Sequence, residues 1–305
     1  MSDRLVHTTA AMGTVVTIEV IGQRDDATQR DERSLAVSRA ATWFTEIEDR
    51  CTRFDPASEL SQLTHHVGVP IEVSPLLFEA LQFALAVARD SGGAFDPTVG
   101  HRMERRGFDR EFRSGHVVRT GITDDEGVSY RDLVVDATTR TVTLLKPLLL
   151  DLGAVAKGLA IDLAARELRS LRNFAIDAGG DLYLGGQNAD GAEWSVGIRN
   201  PRDVTEVIAR VSVSDGAVCT SGDYERKRVD GHEHHLLDPR TGDSANALAS
   251  VTVLAPTAMV ADALATAAFV LGPDAGLAFL ERQGVEGLLI TPALERIATP
   301  RMRLD

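Results

Sequence analysis

The sequence predicts an α+β fold on three observations. Short β-branched runs bounded by glycines dominate the middle of the chain, apolar residues at helical spacing cluster towards both ends, and neither a regular strand–helix alternation nor an internal repeat is present. The elements follow in order. Residues 15–20 are β-branched and follow a glycine, which reads as a strand. Val37, Ala40, Ala41, Phe44, Ile47 and Cys51 then recur at helical spacing. Ser74 and Pro75 form an N-cap and N1 pair for a helix with Phe78, Leu81, Leu85 and Ala88 on its apolar face, and Gly92 with Gly93 stops it. A glycine-hinged loop holds Ala94, Phe95 and Asp96.

Residues 133–135 and 141–145 read as two strands about a polar turn, the second running through Leu148, Leu149 and Leu150 so that Asp151 stands at a strand end. The stretch 153–158 is then a turn that can present backbone N–H groups to an anion, followed by a helix to Leu168. Strands follow at 174–177, ending in Gly179 and Gly180, at 194–198, and around Val211 and Val213. Asp230 and Gly231 signal a hairpin between Tyr224 and Leu237. A strand at 251–254 precedes an Ala-rich helix over 262–271 and a second helix over 274–283. Residues 1–305 read as one domain, with any subdivision falling near 115–150.

Composition narrows the function. At 305 residues and 44% hydrophobic content the chain can bury a substantial core. A net charge of −13, with no Lys/Arg-rich run, argues against nucleic acid as a partner. The first eleven residues are polar where a signal peptide needs an apolar core, and no stretch approaches the roughly 20 apolar residues of a membrane span. The expected location is therefore cytoplasmic, with no transmembrane segment. Cys51 and Cys219 lack CxxC spacing and read as buried apolar residues.

Four segments could carry chemistry. Asp262 and Thr266 lie four apart, so a helix puts a carboxylate and a hydroxyl on one face, a hard-oxygen pair suited to Mg2+. The plainer alternative is that Asp262 caps the helix while Thr266 bonds back to a carbonyl. Asp151-Leu152-Gly153-Ala154-Val155-Ala156-Lys157-Gly158 joins small residues to a carboxylate and an ammonium, which suits a nucleotide, although it matches neither GxGxxG nor a Walker A loop and reads equally well as a structural turn. His232, His234 and His235 lack the spacing and further ligands of a zinc site. His232 and His234 would share a strand face as surface histidines, and a single His beside a phosphate serves better as a general base. Thr220-Ser221-Gly222-Asp223-Tyr224 reads as a polar turn, and Gly179-Gly180-Asp181 permits close backbone approach.

Together these segments resemble, in order and type, the ApbE family of FAD:protein FMN transferases. The matching stretches are Met12-Gly13-Thr14, Phe54-Asp55-Pro56 with Ser58-Glu59-Leu60-Ser61, Gly93-Ala94-Phe95-Asp96-Pro97-Thr98-Val99-Gly100 and residues 151–158. They continue with Gly179-Gly180-Asp181, 194–198, 220–224, 235–242 and 261–266. The resemblance implies a T-fold-related architecture of mixed or antiparallel sheets with helices at their faces. It implies Mg2+ held by Asp262, Thr266 and the Ala154 carbonyl. FAD would lie against Met12, Phe54, Ala94, Phe95, Asp96, Asp151, Lys157, Leu237 and Ala265, and the Gly179-Gly180 turn is our own addition. Asp96 or Asp151 would accept hydrogen bonds from adenine or ribose, and Lys157 would offset pyrophosphate charge. His235 is the candidate base for an acceptor Ser or Thr of a partner protein, and AMP would leave. Many relatives carry Pro-Leu after the Thr-Val-Gly, where this chain has His101-Arg102-Met103. Two other functions stay open on sequence: a Mg2+-dependent FAD pyrophosphatase and a non-enzymatic flavin-binding protein.

Overall fold

The structure, a computed structural model, describes residues 3–22, 27–111, 114–122, 127–225 and 234–305. It opens on a hairpin of β1 (Asp3–Ala11) and β2 (Thr14–Gly22). Helices α1 (Ala27–Cys51) and α2 (Glu59–Leu63), the short strand β3 (Ile71–Glu72), and helices α3 (Pro75–Asp90) and α4 (Gly100–Arg105) follow. Next come β4 (Leu133–Asp136), β5 (Thr141–Leu144), α5 (Gly153–Leu168), β6 (Phe174–Ala178), β7 (Asp181–Gly185), β8 (Trp194–Arg199) and β9 (Val207–Val213). The described chain closes with β10 (Gly216–Gly222), β11 (Ser250–Ala255), α6 (Ala258–Leu271), α7 (Pro273–Gln283), β12 (Glu286–Ile290) and β13 (Arg296–Ala298).

One eight-stranded sheet, in the order β1-β2-β6-β7-β10-β11-β12-β13, organises the molecule, and every neighbouring pair in it is antiparallel. Its two faces are legible in the period of two along the strands. Val16, Ile18, Ile176, Ala217, Cys219, Val251, Val253 and Leu289 point to the side where α1, α3, α5 and α6 pack. Leu184, Val218, Leu288 and Ile290 point to the other side, against Ile198, Ala209 and Val211 of the separate β8–β9 ribbon. A third small sheet, β3-β5-β4, lies beside α3. Among the described residues no helix is long and apolar enough to cross a membrane.

The α+β class and most elements agree with the sequence reading. The Ser74 side chain accepts from Leu77 N at the start of α3, as its N-cap pattern required. Cys51 and Cys219 are both free and buried. Four readings need correction. Asp151 does not end a strand: β5 stops at Leu144, and Leu148, Leu149 and Leu150 run on as buried irregular chain. Helix α5 starts at Gly153, so the supposed turn is its first turns. Thr220, Ser221 and Gly222 belong to strand β10 instead of a turn. Helix α6 starts at Ala258 with Thr257 as its N-cap, so Asp262 stands inside the helix and does not cap it. Strand β1 escaped sequence reading because it is an edge strand whose residues from Arg4 to Ala10 are exposed or half-buried, which blurs the alternation. The Asp230–Gly231 hairpin and His232 lie outside the described residues.

Candidate active site

At one end of the large sheet, where β2 and β7 begin and β10 ends, two hairpin turns sit side by side. Met12 and Gly13 join β1 to β2 with φ of 52° and 74°, and Gly179 and Gly180 join β6 to β7 with φ of 69° and 95°. Positive φ at both central residues suits the strand twist. Glycine is required at Gly179, since a Cβ there would come within 2.2 Å of Thr14 Oγ1. The turns therefore touch, and the Gly179-Gly180 turn is bare of side chains.

Asp181 follows the second turn and is only 3% exposed. One of its oxygens accepts from Thr220 N at 3.1 Å, and the other is ion-paired with Lys157 Nζ. Lys157, on the first turns of α5, also lies 3.7 Å from the Asp262 carboxylate, which is 6% exposed on α6. One turn further on, the Thr266 hydroxyl is 3.0 Å from Ser221 Oγ of β10. Lys157 thus meets Asp262 from a distant stretch of sequence, with Thr266 one helical turn beyond Asp262. Two close contacts bring these helices together. Gly158 of α5 lies against the α6 backbone, where a Cβ would be 2.4 Å from Met259 Cα. Asp162 of α5 accepts from Ala258 N at 2.7 Å and Met259 N at 3.0 Å, satisfying two of the open N–H groups at the start of α6. Ala154 is one turn before Lys157 on α5, and Ala265, fully buried, adjoins Thr266 on α6.

A second wall is built around Arg53. Its buried guanidinium donates to Asp151 Oδ2 at 2.7 Å and lies 4.2 Å from the Phe54 ring centroid. The other Asp151 oxygen accepts from Gly153 N at 2.8 Å, and Asp151 N donates to Pro97 O at 2.8 Å. Asp151 thereby ties the start of α5 to the 94–97 loop. In that loop Ala94 and Phe95 are buried, and Asp96 accepts from Thr98 N at 2.9 Å, Thr98 Oγ1 at 2.7 Å and Tyr130 N at 2.9 Å. Burial pushes the Asp96 carboxyl above its ordinary range, against the pull of these bonds. Both aspartates are engaged by protein donors, so the structure uses them to build the wall.

His235 and Leu237 lie in the segment 234–244, which is fastened at two points. His234 packs edge-on against Phe269 of α6 with ring centroids 5.7 Å apart. It is 5% exposed, so it is a buried residue and not the surface histidine the strand pattern predicted. At the other end Arg102 of α4 donates to Pro239 O, and Arg106 pairs with Asp243 at 2.6 Å. Arg240 holds the Asp238 carboxyl below the usual carboxylate range through its hydrogen bonds, with Arg102 adding to the effect. Leu237 bridges to Ser244 and is buried, whereas His235 is half-buried.

Sequence reasoning missed the roles of Asp181, Ser221, Arg53 and Asp162. Only Asp181 offered a signal, as an acidic residue entering a strand straight after two glycines. The other three act across 45 to 98 residues of chain, to Thr266, Asp151 and the start of α6.

Among the described residues no three His, Cys, Asp or Glu side chains converge as a metal-binding group. An ion at Asp262 would thus draw its side-chain donors from one carboxylate and one hydroxyl. That sparse hard-oxygen set fits Mg2+, which keeps most of its shell for water and phosphate oxygens.

Fold and cluster together define an α+β protein in which a lysine and two carboxylates come together at one end of the large sheet. The chain belongs to the ApbE family, whose model matches residues 12–289. Among curated relatives, a FAD:protein FMN transferase of Vibrio cholerae is 33% identical over 92% of this chain and 85% of its own length. Another of that name from Treponema pallidum is 35% identical over 92% of this chain and 83% of its own length. The solved ApbE protein of Thermotoga maritima superposes with a TM-score of 0.83 at 29% identity, covering 98% of this chain and 97% of that one. The flavin transferase ApbE from Vibrio cholerae gives 0.82 at 28% identity, covering 98% of both chains.

Proposed function

We propose that this chain transfers the FMN half of FAD to a Ser or Thr hydroxyl of an acceptor protein and releases AMP. The observation that supports this best is the approach of Lys157 to Asp262, one helical turn from Thr266, at the sheet end, in a chain whose relatives are named for that activity.

The Asp262 carboxylate, the Thr266 hydroxyl and the Ala154 carbonyl would hold Mg2+. Bound there, the ion would polarise the diphosphate and offset the charge that develops on it. Lys157 is the protein's own cation for the same diphosphate, on the first turns of α5. Met12, Gly179 and Gly180 would offer backbone at one side of the ligand and Phe54 and the 94–96 loop the other, with Leu237 and the fully buried Ala265 backing the site. Asp96 and Asp151 act chiefly by holding that wall. His235 takes the proton of the acceptor hydroxyl, whose oxygen bonds to the FMN-side phosphorus as the bond to the bridging oxygen breaks. AMP carries the bridging oxygen away. The flavin is cargo, so its redox chemistry plays no part. A cytoplasmic location is part of the proposal, and cell fractionation checks it.

The test is incubation with FAD, Mg2+ and a peptide carrying a flavinylation Ser or Thr. A peptide mass gain of one FMN residue with matching AMP supports transfer. AMP with free FMN and unmodified peptide would instead support hydrolysis.

A further inference from the structure

Lys157 faces two carboxylates and reaches both. It is ion-paired with Asp181 and stands 3.7 Å from Asp262, and all three side chains are largely buried. Asp181 cannot readily turn away, because the Thr220 N–H fixes its second oxygen and the Gly179-Gly180 turn fixes its backbone. We propose that Asp181 is a positioning residue that holds the Lys157 ammonium off Asp262, so that one carboxylate serves the lysine and the other a divalent ion. This rests on the metal reading of Asp262.

The argument is one of charge. An ammonium and a divalent cation that compete for a single buried carboxylate repel each other strongly at low dielectric. With two carboxylates the cations separate, and the loaded cluster carries a net positive charge suited to a diphosphate. Without the Asp181 charge, Asp262 is the other acid within reach of Lys157, and the lysine becomes a competitor of the metal.

The experiment titrates the ligand-free protein with Mn2+ alone and counts free Mn2+ by electron paramagnetic resonance. Asp181→Asn should weaken Mn2+ binding about tenfold, the order expected of directly coupled neighbours, and adding Lys157→Met should restore it to the wild-type level or beyond. Rescue by deleting the lysine is a result that a merely structural Asp181 does not produce. Asp181→Asn binding like wild type, or a double variant as weak as the single one, would overturn the proposal. Asp262→Asn separates the two claims: if it binds Mn2+ like wild type, the metal reading itself fails. Should Asp181→Asn not fold, Lys157→Met alone carries the test, since it should bind Mn2+ at least as tightly as wild type, and weaker binding overturns the proposal.

Discussion

At the scale of single residues, the site depends on charges that are buried in company. Removing one member of a buried ion pair leaves the other stranded, at a cost of about 3–5 kcal/mol, so Lys157 and Asp181 are structurally coupled whatever else they do. His235 is placed differently, on a half-buried segment fastened through His234 and Arg102. His235→Ala should therefore lower the transfer rate by about 10²–10⁴-fold while leaving FAD affinity nearly intact, as parallel turnover and flavin-fluorescence titrations would show. An equal loss of both would make it a structural residue. Asp162 gives a pH signature. Burial pushes its carboxyl up to about 6, against the pull of the Met259 and Ala258 N–H groups. The folded chain thus takes up a proton that an unfolded chain, titrating near about 4, does not. The stability this confers is full below about pH 4 and is lost as pH climbs through about 6. In urea unfolding the wild type should therefore gain on Asp162→Asn between pH 7 and pH 4.5. A gap that stays constant would mean the carboxyl is not perturbed in the folded protein.

At the scale of elements, the site exists because α5 and α6 approach closely enough for Lys157 to reach Asp262. Gly158 permits that approach, lying against the α6 backbone near Met259. Gly158→Ala should force the helices apart and destabilise the protein by about 1–3 kcal/mol, with Mg2+-dependent activity falling further than the lost stability explains. A variant with wild-type melting and activity would show that the helices can separate freely there. Legibility differed between elements for identifiable reasons. Helix α3 was readable because Ser74, Pro75 and the paired glycines mark both its ends. The start of α6 was not, since Ala258, Met259 and Val260 carry no helix-start signal beyond the Thr257 cap. Strand β10 was mistaken for a turn because Thr220, Ser221 and Gly222 are turn-type residues, and only pairing with β11 makes them strand.

At the scale of the whole molecule, one antiparallel sheet covered by helices on one face and by the β8–β9 ribbon on the other links distant parts of the chain. We propose that residues 1–305 act as one domain, because the large sheet draws strands from both ends of the described chain. Calorimetry should then show a single transition, and saturation with FAD and Mg2+ at about 100 times the dissociation constant should raise its stability by about 2.7 kcal/mol. Two transitions, only one of them moved by the ligands, would divide the chain.

The sequence by itself determined the α+β class and the ApbE membership, and it supplied the candidate site residues. These follow from local periodicity, capping residues and ordered short motifs, all readable within a few positions. The tertiary structure alone decided which of them meet. Asp181 is a partner of Lys157 only because β7 lies beside β10 under α5, and Ser221 reaches Thr266 only across the packing of β10 on α6. Asp96 and Asp151 show the converse, as candidate ligand residues whose oxygens the fold itself engages. The bonds from Tyr130 and Arg53, like those that join Asp181 to Lys157 and Ser221 to Thr266, link residues far apart in the chain, and no local pattern encodes them.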